Sequence, residues 1–320
     1  MTTQVAFSQT QLVASSAISD LEDIIGNTPL LALQRVTAEL SPRVQVLAKT
    51  EWFNPGGSIK DRPAINILRT AITQGLLKPG MRLLDSTSGN MGIAYATLGA
   101  NLGIPVTLAM PSNASSERVT VLKALGAELV LTDPLEGSDG AIQVARQMAQ
   151  EKPELYYYAN QYDNPANWMA HYNNTGPEIV QQTAGRITHF IAGLGTSGTL
   201  MGVGRYLRQY NPAVQIIAGQ PEAPFHGLEG LKHIPTAIQP GIFDPNLPDR
   251  TVEISTEAAY EMVQRLARQE GLFVGISSGA AALAALQVAS ELEDGVVVTV
   301  FPDAGYKYLS DKALWSETGQ

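Results

Sequence analysis

The sequence predicts an α/β fold of parallel sheets whose faces are covered by helices. Short β-branched runs alternate with longer helical patterns, three Gly/Ser turns each follow a strand-like run and open a helix, and no internal repeat or low-complexity linker interrupts the alternation. Val44 to Lys49 reads as the first strand. From Ile59 to Gly75 apolar residues recur at helical spacing (Ile59, Ile65, Leu68, Ala71, Ile72), with Pro63 tolerated in the first turn and Gly75 suited to a stop. Strands are then expected at Arg82 to Asp85, Val106 to Met110, Glu128 to Thr132, His189 to Gly193, Gln215 to Gly219 and Val296 to Phe301. Helices are expected at Gly92 to Leu102, Ser115 to Leu125, Ser138 to Gln150, Thr199 to Tyr210, Thr256 to Gln269 and Gly279 to Leu292. A boundary is expected near Asp163-Asn164-Pro165, and the Pro-rich stretch from Gln220 to Asp249 reads as a long ordered loop of the kind that lines sites.

Composition narrows the function classes. The chain has 320 residues, 44% of them hydrophobic and 16% charged, which suits a globular chain of one or two domains. A net charge of -9 without any basic run argues against a nucleic-acid or anionic-membrane partner. The absence of cysteine excludes disulfides, thiolate metal sites and a cysteine nucleophile. The first twenty residues are rich in Gln, Ser and Thr and carry no Lys or Arg, so they read as a flexible or loosely docked tail, not as a secretory signal, and a cytoplasmic protein is expected.

Asn54-Pro55-Gly56-Gly57-Ser58-Ile59-Lys60-Asp61-Arg62 sets one lysine at the mouth of a helix behind a Gly-Gly loop. In the first turn, the positive end of the helix dipole and any burial favour a neutral amine, which a lysine needs to form a Schiff base with an aldehyde cofactor. A surface lysine at a helix start is the plain alternative.

The three turns are Asp85 to Gly92, Gly193 to Thr199 and Gly275 to Gly279. Each offers backbone N–H groups at a helix start to an anion, and three together with a lysine loop suggest one site at the carboxyl ends of the strands. Gly193 to Gly198 also spells G-x-G-x-x-G, with Glu222 near the distance of a ribose-binding acid. A dinucleotide fold would leave the Lys60 loop unexplained, and Pro221 precedes the acid. Gly275 to Gly279 spells the G-x-S-x-G elbow of hydrolases, but all four histidines (His171, His189, His226, His233) precede the serine, which excludes that order of residues. Those histidines show no metal-ligand spacing, so no metal is expected.

Gly26-Asn27-Thr28-Pro29-Leu30, Asn54 to Arg62, Thr87-Ser88-Gly89-Asn90, Gln161, Thr175-Gly176-Pro177-Glu178, Gly195 to Thr199 and Gly275 to Gly279 resemble, in order and spacing, the cysteine synthase family of pyridoxal-phosphate enzymes, from about Leu21 to Ser310. The chain looks most like the B-type branch, and His189 to Thr196 and Asp303 to Ser310 resemble bacterial members that use O-phosphoserine. The resemblance implies pyridoxal-phosphate fold type II: two three-layer domains with mostly parallel twisted sheets. Residues 54-163 would form a smaller mobile domain, 19-53 plus 164-320 a larger cofactor-binding domain, and 1-18 a flexible tail.

It also implies a pyridoxal 5'-phosphate cofactor and a role for each residue. Lys60 would hold the cofactor covalently and then remove the substrate α-proton. Gly195, Thr196, Ser197, Gly198 and Thr199 would hold the cofactor phosphate, Asn90 the ring hydroxyl and Ser277 the pyridine nitrogen. Thr87, Ser88 and Gln161 would bind the amino-acid carboxylate. The implied activity is β-replacement of O-acetylserine or O-phosphoserine by sulfide or another sulfur donor, giving L-cysteine. A homodimer, and docking of the C-terminal peptide of serine acetyltransferase, are implied partners.

Two residues depart from the family pattern. Met91 stands where most members have Thr, as in β-cyanoalanine synthases, and so reads as a pocket residue or as packing alone. Lys232 falls where phosphoserine-using relatives carry an arginine, and so reads as a point-charge partner for phosphate or as a solvated loop lysine. A β-cyanoalanine synthase or related β-replacement or elimination enzyme is therefore the second reading. A catalytically idle regulatory partner of serine acetyltransferase is a third, which the intact Lys60 argues against.

Overall fold

A computed structural model describes residues 20–87 and 89–315; the tail expected over 1-18 and the substrate-binding role expected of Ser88 lie outside the described residues. The strands are β1 (Leu30–Ala32), β2 (Val44–Thr50), β3 (Arg82–Ser86), β4 (Val106–Pro111), β5 (Glu128–Thr132), β6 (Tyr156–Tyr158), β7 (His189–Gly193), β8 (Gln215–Pro221), β9 (Arg250–Ile254) and β10 (Gly295–Phe301). They form a six-stranded sheet in the order β1-β2-β10-β7-β8-β9 and a four-stranded sheet in the order β5-β4-β3-β6. All pairings are parallel except that of β1 with β2.

The helices that position the site are α1 (Asp61–Thr73), α2 (Asn90–Leu102), α3 (Ser116–Ala124), α4 (Gly137–Glu151), α5 (Pro165–Ala170), α6 (Gly176–Gln182), α7 (Gly198–Tyr210), α8 (Thr256–Arg265) and α9 (Ile276–Ala289). Central strands are apolar on both faces: every residue of β10 and of β4 is buried, as parallel strands covered by helices require. One core cluster joins Leu83, Leu108 and Met110 of the four-stranded sheet to Ile67 and Leu68 of α1 and Tyr95 and Leu98 of α2. On the six-stranded sheet, Val298, Phe190 and Ile216 pack with Leu200 and Val203 of α7 on one face, while Val297 and Ile217 pack with Ala282 and Ala285 of α9 on the other.

All seven expected strands are present, each within two residues at either end. Three were missed. β1 and β6 have three residues each, too few to show a period, and β9 is a sheet edge whose Arg250, Thr251 and Glu253 are exposed. The expected boundary at Asp163 to Pro165 is a helix start, where Asn164 Oδ1 accepts from the Ala166 N–H at 3.0 Å and Pro165 fills the first helical position. The third Gly/Ser turn passes into α9 at Ile276, three residues before the expected Gly279.

The Lys60 helix begins later than its periodicity suggests. Lys60 is the N-cap residue of α1, not a member of its first turn: the Ala64 N–H donates to the Lys60 carbonyl at 3.0 Å, the first bond of the helix. The backbone before Lys60 is committed elsewhere, because the Ile59 N–H donates to the Pro302 carbonyl at the end of β10 at 2.9 Å.

Behind this loop lies a buried ionic network. The Arg62 guanidinium donates to both oxygens of Glu51 (Nε 2.7 Å, Nη2 2.9 Å) and both of Glu178 (2.7 and 2.8 Å), and Lys49 pairs with Glu178 at 2.6 Å. Thr28 Oγ1 donates to Glu51 at 2.7 Å, and Lys49 and Gln182 donate to the Thr28 carbonyl. Two cations and two carboxylates balance, as burial demands. Burial alone would raise Glu178, but its bonds to Arg62 and Lys49 hold it at about 2.

Candidate active site

The carboxyl ends of β3, β7 and β10 open onto one cleft, and it brings together Lys60, Thr87, Asn90, Met91, Gln161, Gly195, Thr196, Ser197, Gly198, Thr199, Lys232 and Ser277. Every described residue singled out in the sequence as a site residue therefore lines the same space. Glu222, the ribose-type acid of the dinucleotide alternative, is exposed and does not line it.

Lys60 reaches the cleft from a loop fixed at several points. Gly57 turns with φ +74°, and Gly56 N–H donates to Asp61 Oδ2 at 2.6 Å. Lys307 Nζ donates to the carbonyls of Gly56 (3.3 Å) and Gly57 (3.1 Å). A side chain on Gly56 would collide with the Asp61 carboxylate, so the approach requires glycine. Burial lowers the Lys60 pKa, opposed by the charges of Asp303 and Glu51. Desolvation is the first cause of its reduced basicity.

The Gly193 to Thr199 turn joins β7 to α7 with Ser197 in the left-handed region at φ 69°. Thr196 Oγ1 accepts from Asn167 Nδ2 at 3.2 Å and from the Gly198 N–H at 3.4 Å, which leaves its own proton to donate. Thr199 Oγ1 lies 3.4 Å from His171 Nε2, and burial keeps His171 well below its ordinary pKa and therefore neutral. Ser197 Oγ is buried with no hydrogen-bond partner. A lone buried hydroxyl, a second hydroxyl with a proton to give, and the start of a thirteen-residue helix make a cradle that fits a phosphate dianion. Gly195 and Gly198 let this turn pack: a Cβ at Gly195 would strike the Gly230 carbonyl, and one at Gly198 the Asn167 amide.

On the opposite wall, Asn90 opens α2. Its Nδ2 donates to Asp303 Oδ2 at 2.8 Å and its Oδ1 accepts from Lys307 Nζ at 2.7 Å, so both ends of the amide are oriented. Thr87 Oγ1 accepts from the N–H groups of Gly89 (3.1 Å) and Gly92 (3.2 Å) and shapes the same turn. Gln161 is fixed by Nε2 donation to the Ser86 carbonyl at 2.7 Å. Met91 is 2% exposed and sits in the core cluster with Leu108 and Leu122, and it also borders the cleft, so it is not packing alone. Ser277 lies in the first turn of α9 at the base of the cleft.

Lys232 is not a solvated loop lysine. It is 7% exposed, paired with Asp139 at 2.9 Å and set 5.0 Å over the Tyr162 ring. Sequence reasoning missed Arg118, Tyr162, Glu229 and Tyr308, which also line the cleft, and Asp303 and Lys307, which hold Asn90. Asp303 to Ser310 carried a resemblance but no role, and nothing in the pattern of α3 distinguishes Arg118 from a surface arginine. Among the described residues no group of three or more His, Asp or Glu is arranged to hold a metal ion, and no helix is long and apolar enough to cross a membrane.

Residues 21–303 match the family of pyridoxal-phosphate dependent enzymes. A cysteine synthase of Aquifex aeolicus is 55% identical over 299 residues, covering 92% of this chain and 91% of that one. Cysteine synthase B of Escherichia coli is 43% identical over 300 residues, covering 94% and 97%. Among solved structures, a cysteine synthase from Entamoeba histolytica superposes with a TM-score of 0.90 at 36% identity, over 99% of this chain and 96% of that one. With a match across most of its length and a cradle that fits the cofactor's phosphate beside a lysine of lowered basicity, the chain belongs to the cysteine synthase family of pyridoxal-phosphate-dependent enzymes.

Proposed function

We propose that this chain is a cysteine synthase that replaces the β-substituent of an activated L-serine, O-acetylserine or O-phosphoserine, with sulfur. The observation that carries the reading is the Lys60 amine, lowered in basicity by burial, in the same cleft as the Gly195 to Thr199 cradle and Ser277. With O-acetylserine and hydrogen sulfide the reaction balances as L-cysteine and acetic acid. Relatives named cysteine synthase and cysteine synthase B support a cysteine-forming reaction.

Pyridoxal phosphate, when bound, supplies the electron sink that lets the α-proton of an amino acid leave. The chain's own residues do the rest. Lys60, able to cycle between neutral and charged forms, takes the α-proton. The hydroxyls of Thr196, Ser197 and Thr199 and the N–H groups at the start of α7 anchor the phosphate. Asn90, oriented by Asp303 and Lys307, would hold the ring hydroxyl. Ser277 would meet the ring nitrogen as a neutral partner, and a neutral partner there would favour loss of a β-substituent over transamination or racemisation. Thr87, Ser88 and Gln161 bind the substrate carboxylate.

Finer parts of the proposal rest on the resemblance: a homodimer, a cytoplasmic location, docking of a serine acetyltransferase C-terminus, and movement of residues 54-163 against 19-53 plus 164-320. The placement of all four strands β3 to β6 between residues 82 and 158 supports the last of these. The deciding experiment is to incubate cofactor-loaded protein with sulfide and either ester and to quantify cysteine. Failure of both esters, with the cofactor retained, would remove the assignment.

A further inference from the structure

Two cations in the cleft are each neutralised by a carboxylate contributed from across it. Arg118, on α3 beside the four-stranded sheet, pairs with Glu229 in the loop that follows β8 of the six-stranded sheet. Lys232, in that same loop, pairs with Asp139 on α4 at 2.9 Å. The cations are the buried partners, with side chains 4% and 8% exposed, whereas Glu229 and Asp139 are 36% and 34% exposed. Aromatic rings fix the cations further: the Arg118 guanidinium lies 5.0 Å over Tyr308 and the Lys232 ammonium 5.0 Å over Tyr162. Asp139 is itself held, accepting from the Ile238 N–H at 3.3 Å. Arg118, Lys232, Glu229, Tyr162 and Tyr308 all line the cleft.

We propose that Asp139 and Glu229 determine specificity, holding Lys232 and Arg118 neutralised so that the cleft prefers an uncharged β-substituent, as in O-acetylserine, to the dianion of O-phosphoserine. The inference rests on the cysteine synthase reading and deepens it. Lysine at position 232 would by itself suggest a phosphate partner. That charge is already satisfied. An incoming phosphate has to draw a cation away from its carboxylate, which stays within reach and repels the dianion, or else lie in a partly buried cleft without a counter-charge of its own; both are unfavourable. An acetyl ester disturbs neither pair.

The test compares kcat/KM for O-phosphoserine and O-acetylserine, with sulfide as the nucleophile, in the parent and in the isosteric variants Asp139→Asn and Glu229→Gln. The parent should favour O-acetylserine. Each variant should raise the ratio of O-phosphoserine to O-acetylserine by about tenfold, equivalent to about 1.4 kcal/mol. Asp139→Glu, which keeps the charge, should stay near the parent ratio and separates loss of charge from loss of shape. A calorimetric titration of inorganic phosphate into the cofactor-loaded proteins reads the same effect without turnover, with tighter binding expected in the two neutralised variants. A parent that prefers O-phosphoserine, or a ratio and phosphate affinity that do not rise in either variant, overturns the inference. If the parent makes cysteine from neither ester, the functional reading falls, and the phosphate titration still decides whether the carboxylates screen the cations.

Discussion

Asp303 accepts a 2.8 Å hydrogen bond from the side-chain amide of Asn90, joining the end of β10 in one sheet to the start of α2 beside the other. The same carboxylate oxygen accepts from the Tyr308 hydroxyl at 2.8 Å, and its charge is the largest influence opposing the desolvation of Lys60. One buried acid thus orients an amide of the cleft and supports the charged form of the lysine.

Replacing Asp303 with Asn should therefore lower the Lys60 pKa further, since burial remains and the opposing charge is gone. The pH midpoint for acylation of Lys60 in cofactor-free protein, followed by peptide mass spectrometry, should move down. An upward shift would show that Asp303 does not act on Lys60 through charge.

Lys60→Ala should abolish borohydride-fixed attachment of pyridoxal phosphate to the Lys60 peptide and slow β-replacement by about 10²- to 10⁴-fold, the range expected for loss of a positioned acid–base group. Full activity, or attachment at a different lysine, would remove Lys60 from its role.

Ser277→Asp should be tolerated structurally, because a carboxylate in the first turn of α9 complements the helix dipole. Facing the pyridine nitrogen it should favour protonation there, altering the visible spectrum of the bound cofactor and diverting flux from β-replacement, with kcat falling by about tenfold or more. Identical spectra and rates in variant and parent would place the nitrogen's partner elsewhere.

Asp85, buried at the end of β3, has its pKa pushed up to about 7, chiefly by desolvation. The folded state therefore keeps a proton that the unfolded chain gives up near 3.8, so this group's contribution to stability is present below that pH and is lost as pH rises through about 7. Relative to Asp85→Asn, the parent should lose up to about 1.4 kcal/mol per pH unit across that window. Denaturation midpoints of both proteins at pH 5 and pH 8 check it; a gap that is unchanged, or that moves in the parent's favour at pH 8, contradicts the assignment.

What could be read in the sequence followed from local periodicity and turn chemistry. β7, Gly193 to Thr199 and α7 were recognisable because an apolar run, a Gly/Ser turn and a helical pattern stand next to each other in the chain. Pairings between distant residues left no such trace. Arg118 meets Glu229 from 111 residues away and Lys232 meets Asp139 from 93, and neither partner carries a local mark of its role. The helical period, which Ile59 fits, puts Lys60 in the first turn of α1, yet Ile59 N–H is drawn to the Pro302 carbonyl, a contact that only the tertiary fold supplies.

β10, the last strand in sequence, lies in the middle of its sheet, with seven residues in register against β2 and three against β7. Until residues 295–301 have emerged during synthesis, β2 and β7 each present an unpaired apolar edge, and the Ile59 N–H has no Pro302 carbonyl to meet. The lysine loop, made early, waits for the final tenth of the chain. Assembly should accordingly be slow and dominated by long-range contacts, with the partly synthesised chain most prone to aggregate just before this strand arrives, and a truncation that removes β10 should abolish cofactor retention and not merely weaken it.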